Sequence, residues 1–157
     1  MLFLRALLAF VALPVVVSVL VPWLLLPNDR WRGAGFSWAW PLLVLGLCLL
    51  LASVRDFYVA GRGTLAPWDP PRKLVIAGLY RWVRNPMYLG VLAWVGGWSL
   101  LVASPLLAVY TALLAIGFHL RVLLYEEPTL ARLFPADWAL YRAKVNRWWP
   151  RLFPAVD

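Results

Sequence analysis

Four apolar stretches of this chain approach the length of a membrane-crossing helix, separated by polar breaks, and only the last holds His or Arg side chains within it. Ala6 to Leu26 carries no ionisable side chain, and about 20 such residues in a helix cover a hydrocarbon layer of about 30 Å. This is the first predicted span, and its end at Leu26-Pro27-Asn28-Asp29 offers no small-residue cleavage site, so the segment is expected to stay in the mature protein. A second uncharged run, Gly33 to Val54, is helical from about Trp38 and stops at Arg55-Asp56. The third begins at Asn85 or Pro86 and ends near Ala103, with Pro86 in the first turn, where a missing amide hydrogen costs nothing. Ser104-Pro105 leaves room only for a tight turn before the fourth run, Leu106 to about Leu124, which passes through His119 and Arg121 to reach Glu126-Glu127. The third and fourth spans therefore form an antiparallel hairpin.

After the last span the pattern changes. Asp137 to Trp149 puts Trp138, Tyr141, Val145, Trp148 and Trp149 on one broad face and Arg142, Lys144 and Arg147 largely elsewhere, the signature of an amphipathic helix lying at a membrane interface. The expected fold is all-α: a single domain over residues 1–157 with four transmembrane helices (about 6–26, 38–54, 86–103 and 106–124) and a C-terminal interfacial helix (about 137–149).

Charge orients that bundle. Arg5, the loop after the second span (Arg55, Arg62, Arg72, Lys73, Arg81, Arg84) and the tail (Arg132, Arg142, Lys144, Arg147, Arg151) hold most of the basic residues, against Asp29, Arg30 and Arg32 on the other side. Lys and Arg accumulate on the cytoplasmic side, so both termini are expected there. Composition agrees with a membrane protein: 64% of residues are hydrophobic, 14% are charged and the mean hydropathy is +0.77, against roughly half and a quarter in soluble domains. The net charge of +8 is then a one-sided attraction to anionic headgroups. No zinc-finger spacing or basic recognition helix accompanies it, which argues against nucleic acid. The lone Cys48 excludes an intrachain disulfide. There is no Cys/His metal cluster, P-loop or Ser nucleophile motif, and no metal is expected.

Ionisable groups near or inside a span are costly unless they face a bundle interior or a wet cavity, and here they are His119, Arg121, Glu126 and Glu127. On a regular helix His119 and Glu126 share a face and Glu127 points roughly 100° away, so one glutamate can line a pocket while the other pairs with an arginine. At the start of the third span, Asn85 can cap the helix through its side-chain oxygen and Arg84 carries a fork suited to a carboxylate or phosphate. Tyr88 lies one turn inside. Gly90, Ala93 and Gly97 follow at a spacing that favours close helix packing. Gly61-Arg62-Gly63 allows close backbone approach to a ligand but has no Rossmann context.

The order Gly78, Tyr80, Arg84, Asn85, Pro86, Tyr88, Gly90, followed beyond the hairpin by Glu126, Glu127, Leu130, Phe134, Trp138, Tyr141, Val145, Arg147 and Pro150, resembles the isoprenylcysteine carboxyl methyltransferase and phospholipid methyltransferase superfamily. The resemblance implies S-adenosylmethionine-dependent methyl transfer, with the cofactor bound at the cytoplasmic end of the last spans under the C-terminal segment. It implies cofactor contacts from Gly61, Gly63, Tyr80, Asn85 and Pro86 on one side, and from Glu126, Glu127, Tyr141 and Arg147 on the other. Glu126 or Glu127 would hold the cofactor's ammonium and Arg84 or Arg142 its carboxylate. Arg84, Tyr88, Glu126 and His119 are the groups expected nearest the chemistry. The methyl acceptor is expected to be lipidic or otherwise apolar, entering from the bilayer, and the short chain suits a prokaryotic inner membrane. The competing readings are a non-enzymatic membrane scaffold or transporter subunit, and a membrane reductase.

Overall fold

The computed structural model describes residues 11–29, 34–61 and 74–154, and among them every regular element is helical. A π-helical stretch, Val11–Leu20, leads into α1 (Val21–Leu25) and a 3-10 turn, Leu26–Asn28. Then come α2 (Trp40–Gly61), a 3-10 turn at Gly78–Arg81, α3 (Pro86–Leu101) and α4 (Pro105–Arg121). A π-helical turn, Val122–Glu126, joins α4 to α5 (Glu127–Leu133), and α6 (Pro135–Lys144) follows. Residues 6–10 of the first expected span, and Arg62 and Gly63, lie outside the described residues.

Helices α2 and α3 meet backbone to backbone. A Cβ on Gly90 would sit 2.7 Å from the Leu50 amide nitrogen, and one on Gly46 would sit 2.5 Å from that of Trp94. Neither helix can carry a side chain at the crossing, so the expected packing role of Gly90 holds and Gly46 shares it. Gly97 faces Leu43 in the same way. Leu50, Val91 and Val95 then pack with Phe118 and Val122 from the next helix.

The outward faces remain apolar, with Val44, Leu45 and Leu51 on α2 and Val109, Leu113, Ile116 and Leu120 on α4 exposed. Two helical segments, Ser37–Asp56 and Pro105–Leu133, are long and apolar enough to cross a membrane by length and composition. Only 28% and 17% of their most apolar windows are buried, unlike the core helices of a soluble protein. The first and third expected spans form shorter apolar helices, Val15–Asn28 and Pro86–Leu101.

At the end of the bundle away from Glu126, Ser104 caps α4 by accepting a hydrogen bond from the Leu107 amide at 3.1 Å. Asp29, expected to be a simple loop charge, is instead buried. Its carboxylate accepts from the Ser104 hydroxyl and from the Leu106 amide, an arrangement that complements the helix dipole and ties the first helix to the hairpin.

Three boundaries differ from expectation, the first being α2, which does not stop at Arg55-Asp56 but runs on to Gly61. The fourth helix does not end near Leu124 but continues to Leu133, because the Glu127 amide bonds back to the Val122 carbonyl and this wider turn places Pro128 at the start of a new α segment, where its missing amide is harmless. The tail helix ends at Lys144 rather than near Trp149. Val145 is extended (φ −121°, ψ 131°), and the carbonyls of Asn146 and Arg147 accept hydrogen bonds from Arg84 and Asn85 instead of serving a helix.

Candidate active site

The loop before α3 is anchored by its glycine. Gly78 has φ +55°, a conformation other residues rarely adopt, and a Cβ there would collide with the Asp56 carboxylate at the end of α2. The Leu79 amide donates to that carboxylate at 2.9 Å. Tyr80 is thereby buried, and its carbonyl accepts a 2.7 Å hydrogen bond from the Tyr141 hydroxyl of α6. Burial pushes the pKa of both phenols up, so they are neutral, and Tyr141 acts as a staple between α6 and this loop. Trp138, Tyr141 and Val145 pack with Leu74 and Ile76 beneath it.

The non-helical residues after α6 form a strap across the same loop. The Arg84 amide donates to the Asn146 carbonyl at 2.9 Å, and the Arg151 amide to the Trp82 carbonyl at 3.0 Å. Asn85 does not cap α3 with its side chain, as expected from sequence. Its side-chain amide donates to the Arg147 carbonyl at 3.1 Å, because the strap offers a partner that the helix start does not need once Pro86 occupies its first turn. Pro86 is fully buried there.

Strap, loop and helix together bring three charges to one point. Arg147 donates to both oxygens of Glu127, at 2.6 and 2.9 Å, a bidentate geometry of the strong, charge-assisted kind. Arg84 reaches the same carboxylate with Nη1 at 3.0 Å, and its side chain is only 9% exposed. The approach gives ion pairing without hydrogen-bond alignment, and both Nε and Nη1 of Arg84 are left without a hydrogen-bond acceptor. The guanidinium lies over the Trp138 ring, 5.3 Å from its centroid. Burial lowers the pKa of Arg84, with Glu127 pulling the other way, whereas the hydrogen bond to Glu127 raises that of Arg147.

Beside this cluster Glu126 does something different. Its Oε1 accepts from the Tyr88 hydroxyl and from Arg121 Nε at 2.8 Å, while Arg121 Nε also reaches the Tyr88 oxygen at 3.1 Å. The π turn aligns Arg121 with Glu126 five positions on, an offset that a regular α-helix places on different faces. Glu126 Oε2 has no partner among the described residues. Tyr88 stacks on Phe118 with ring centroids 4.4 Å apart, and Trp148 of the strap lies 6.4 Å from Tyr88. His119 bonds to Trp148 rather than to Glu126.

Of the residues expected from sequence, Arg84, Asn85, Pro86, Tyr88, Glu126, Glu127 and Arg147 are thus gathered at one end of the bundle, with His119 reached through Trp148. Gly61 is the last residue of α2, and Gly63 lies outside the described residues. Arg142 is exposed and forms no ion pair with either glutamate, although its charge acts on Glu127 from a distance. Trp149 is 79% exposed, off the broad aromatic face expected for it, since the helix ends before it. Asp56 was not singled out from the sequence, and Trp138 and Trp148, expected on an aromatic interfacial face, instead lie against Arg84 and His119.

The arrangement offers a buried cation with unmet donors that lies over the Trp138 ring, and a second carboxylate, Glu126, engaged through one oxygen. The phospholipid methyltransferase family model matches residues 36–137, which contain this site except Trp138 and Tyr141 of α6 and the strap that follows. A probable protein-S-isoprenylcysteine O-methyltransferase from Oryza sativa subsp. indica is 32% identical over 79 residues, 50% of this chain and 41% of that protein. The protein-S-isoprenylcysteine O-methyltransferase of Saccharomyces cerevisiae is 36% identical over 73 residues, 46% of this chain and 30% of that protein. An Arabidopsis thaliana protein-S-isoprenylcysteine O-methyltransferase B is 32% identical over 73 residues, 46% of this chain and 37% of that protein. The chain therefore spans less than half the length of these relatives in the matched region. No solved structure matches it. With the family model covering well over half of the sequence, this chain belongs to the phospholipid methyltransferase family.

Proposed function

We propose that the protein is an integral-membrane enzyme that transfers a methyl group from S-adenosylmethionine to a lipidic or small hydrophobic acceptor at the cytoplasmic face. The observation that carries this reading is the buried Arg84 guanidinium with Nε and Nη1 lacking acceptors, paired with Glu127, whose neighbour in sequence, Glu126, is engaged through Oε1 alone. A ligand carrying both a carboxylate and an ammonium meets those two needs together.

Arg84, steadied by Glu127 and Trp138, holds the carboxylate. Glu126, oriented by Tyr88 and Arg121, offers Oε2 to the ammonium. Glu127 is already shared by two guanidiniums, so its part is to position Arg84 and the strap. The cofactor supplies a methyl group made electrophilic by its sulfonium. The chain supplies orientation and exclusion of water, which together can contribute several kcal/mol when two reactants are held in line. The acceptor reaches the site from the bilayer, in keeping with the apolar outer faces of α2 and α4. Four membrane crossings follow from the four apolar runs and cytoplasmic termini from the charge asymmetry of the loops, and the setting is a prokaryotic inner membrane.

Isothermal titration of the purified protein in lipid with S-adenosylhomocysteine is expected to give saturable binding that a chelator leaves unchanged. A folded protein giving no signal at millimolar ligand would remove the methyltransferase reading. For orientation, single cysteines placed at residue 157 and in the 28–35 loop of a Cys48→Ser background should label from opposite sides of the membrane. Labelling of both from one side would overturn the four-crossing topology.

A further inference from the structure

His119 is the only histidine in the chain, and its Nδ1 accepts a 3.1 Å hydrogen bond from the indole Nε1 of Trp148. An indole nitrogen only donates, so Nδ1 carries no proton and the neutral ring must carry it on Nε2. Nε2 has no partner among the described residues, although His119 is half-buried on a largely apolar helix, where an unmatched N–H is costly. The ring lies 6.1 Å from Trp148, which in turn lies 6.4 Å from Tyr88, and Tyr88 holds Glu126. Along the helix, His119 is about 10 Å deeper than Glu126 at 1.5 Å per residue, and its neighbours Ile116, Leu120 and Leu123 are exposed apolar side chains.

We propose that His119 is a neutral hydrogen-bond donor, fixed by Trp148 with its proton on Nε2, that binds an oxygen of the methyl acceptor's polar group on the bilayer side of the site. It is not a base, because its proton-accepting nitrogen is already occupied. The ligand chemistry is an anionic oxygen carried on an apolar tail, as in the carboxylate of a prenylated cysteine or the phosphodiester of a phospholipid. Trp148 is a positioning residue that acts through His119. The proposal rests on the methyltransferase reading and deepens it.

The test begins with the full chain labelled with ¹⁵N-histidine in lipid nanodiscs, where a single residue gives a single pair of ring signals. A protonated Nε2 and an unprotonated Nδ1 are expected at neutral pH. Trp148→Phe, which keeps the aromatic packing but removes the donor, should give a mixed tautomer population. A proton on Nδ1, a cationic ring, or signals unchanged by Trp148→Phe would overturn the proposal.

Methyl transfer from labelled S-adenosylmethionine is then measured in two arms, a farnesylated cysteine analogue and phosphatidylethanolamine vesicles, to identify the source of the oxygen. For whichever acceptor the unaltered protein methylates, His119→Leu should raise acceptor KM about 10-fold, with the loss in KM rather than in kcat. His119→Gln, which retains an N–H near the position of Nε2, should restore most of it. Unchanged acceptor KM in His119→Leu, or equal loss in the Gln variant, would overturn the proposal while leaving the methyltransferase reading intact. Failure of the unaltered, folded protein to bind S-adenosylhomocysteine would instead remove that reading, and this proposal with it.

Discussion

Replacing Glu127 with Gln should cost about 3 kcal/mol of stability and weaken S-adenosylhomocysteine binding by at least 10-fold, because removing one member of a buried ion pair leaves its partners charged and unmatched. Glu127 is the shared partner of Arg84 and Arg147, whose side chains are 9% and 25% exposed. Gln keeps the size and can accept from one guanidinium, but it cannot neutralise either. The strap then loses its bidentate anchor, and Arg84 loses the charge that offsets its burial. Thermal unfolding in lipid, compared with a Glu127→Gln/Arg147→Met double variant, separates the two effects. If the pair is the source of the loss, the double variant should recover part of the stability of the single one. A folded Glu127→Gln protein with unchanged melting and unchanged ligand affinity would show that the three-charge cluster neither holds the strap nor positions Arg84.

The helices themselves were legible because lipid and water impose different compositions. Uncharged runs predicted α2, α3 and α4 in order, and the Ser104-Pro105 break predicted their hairpin. Gly90 and Gly97 announced close packing because small residues at helical spacing have few other uses in an apolar segment. What escaped was set by contacts distant in sequence. Asn85 looks like a helix cap until the strap places the Arg147 carbonyl within reach. Val145 to Trp149 continues a helical pattern on paper, yet the chain straightens because Arg84 and Asn85 take two of its carbonyls. Arg121 and Glu126 are five apart, which a regular helix places on different faces, and only the π turn makes them partners. Asp29 read as a loop charge since nothing local reveals that Ser104 and the Leu106 amide, over seventy residues away, bury it. The candidate site was therefore readable as a set of residues, and different parts for the two glutamates were expected, but not that both pair with arginines, Glu126 with Arg121 and Glu127 with Arg84 and Arg147.

Arg84→Lys is expected to leave the protein folded while lowering S-adenosylhomocysteine affinity by about 10-fold or more, the scale of a lost hydrogen bond to a charged group worth roughly 1.5 to 3 kcal/mol. An ammonium at this position can still pair with Glu127, and Arg147 continues to hold that carboxylate through both oxygens, so the electrostatic balance of the cluster survives. What disappears is the planar fork: the Nε donor, the second direction of approach and the stacking over Trp138, none of which a flexible point charge reproduces. The substitution thus separates the charge of Arg84 from its geometry. Arg142→Ala is the matched control, since that side chain is exposed and outside the ion pairs, and it should bind the ligand as the unaltered protein does. Unchanged affinity in a folded Arg84→Lys protein would mean that the unmet donors of Arg84 do not meet the ligand's carboxylate. Parallel loss in Arg142→Ala would assign that carboxylate to the outer face of α6 instead.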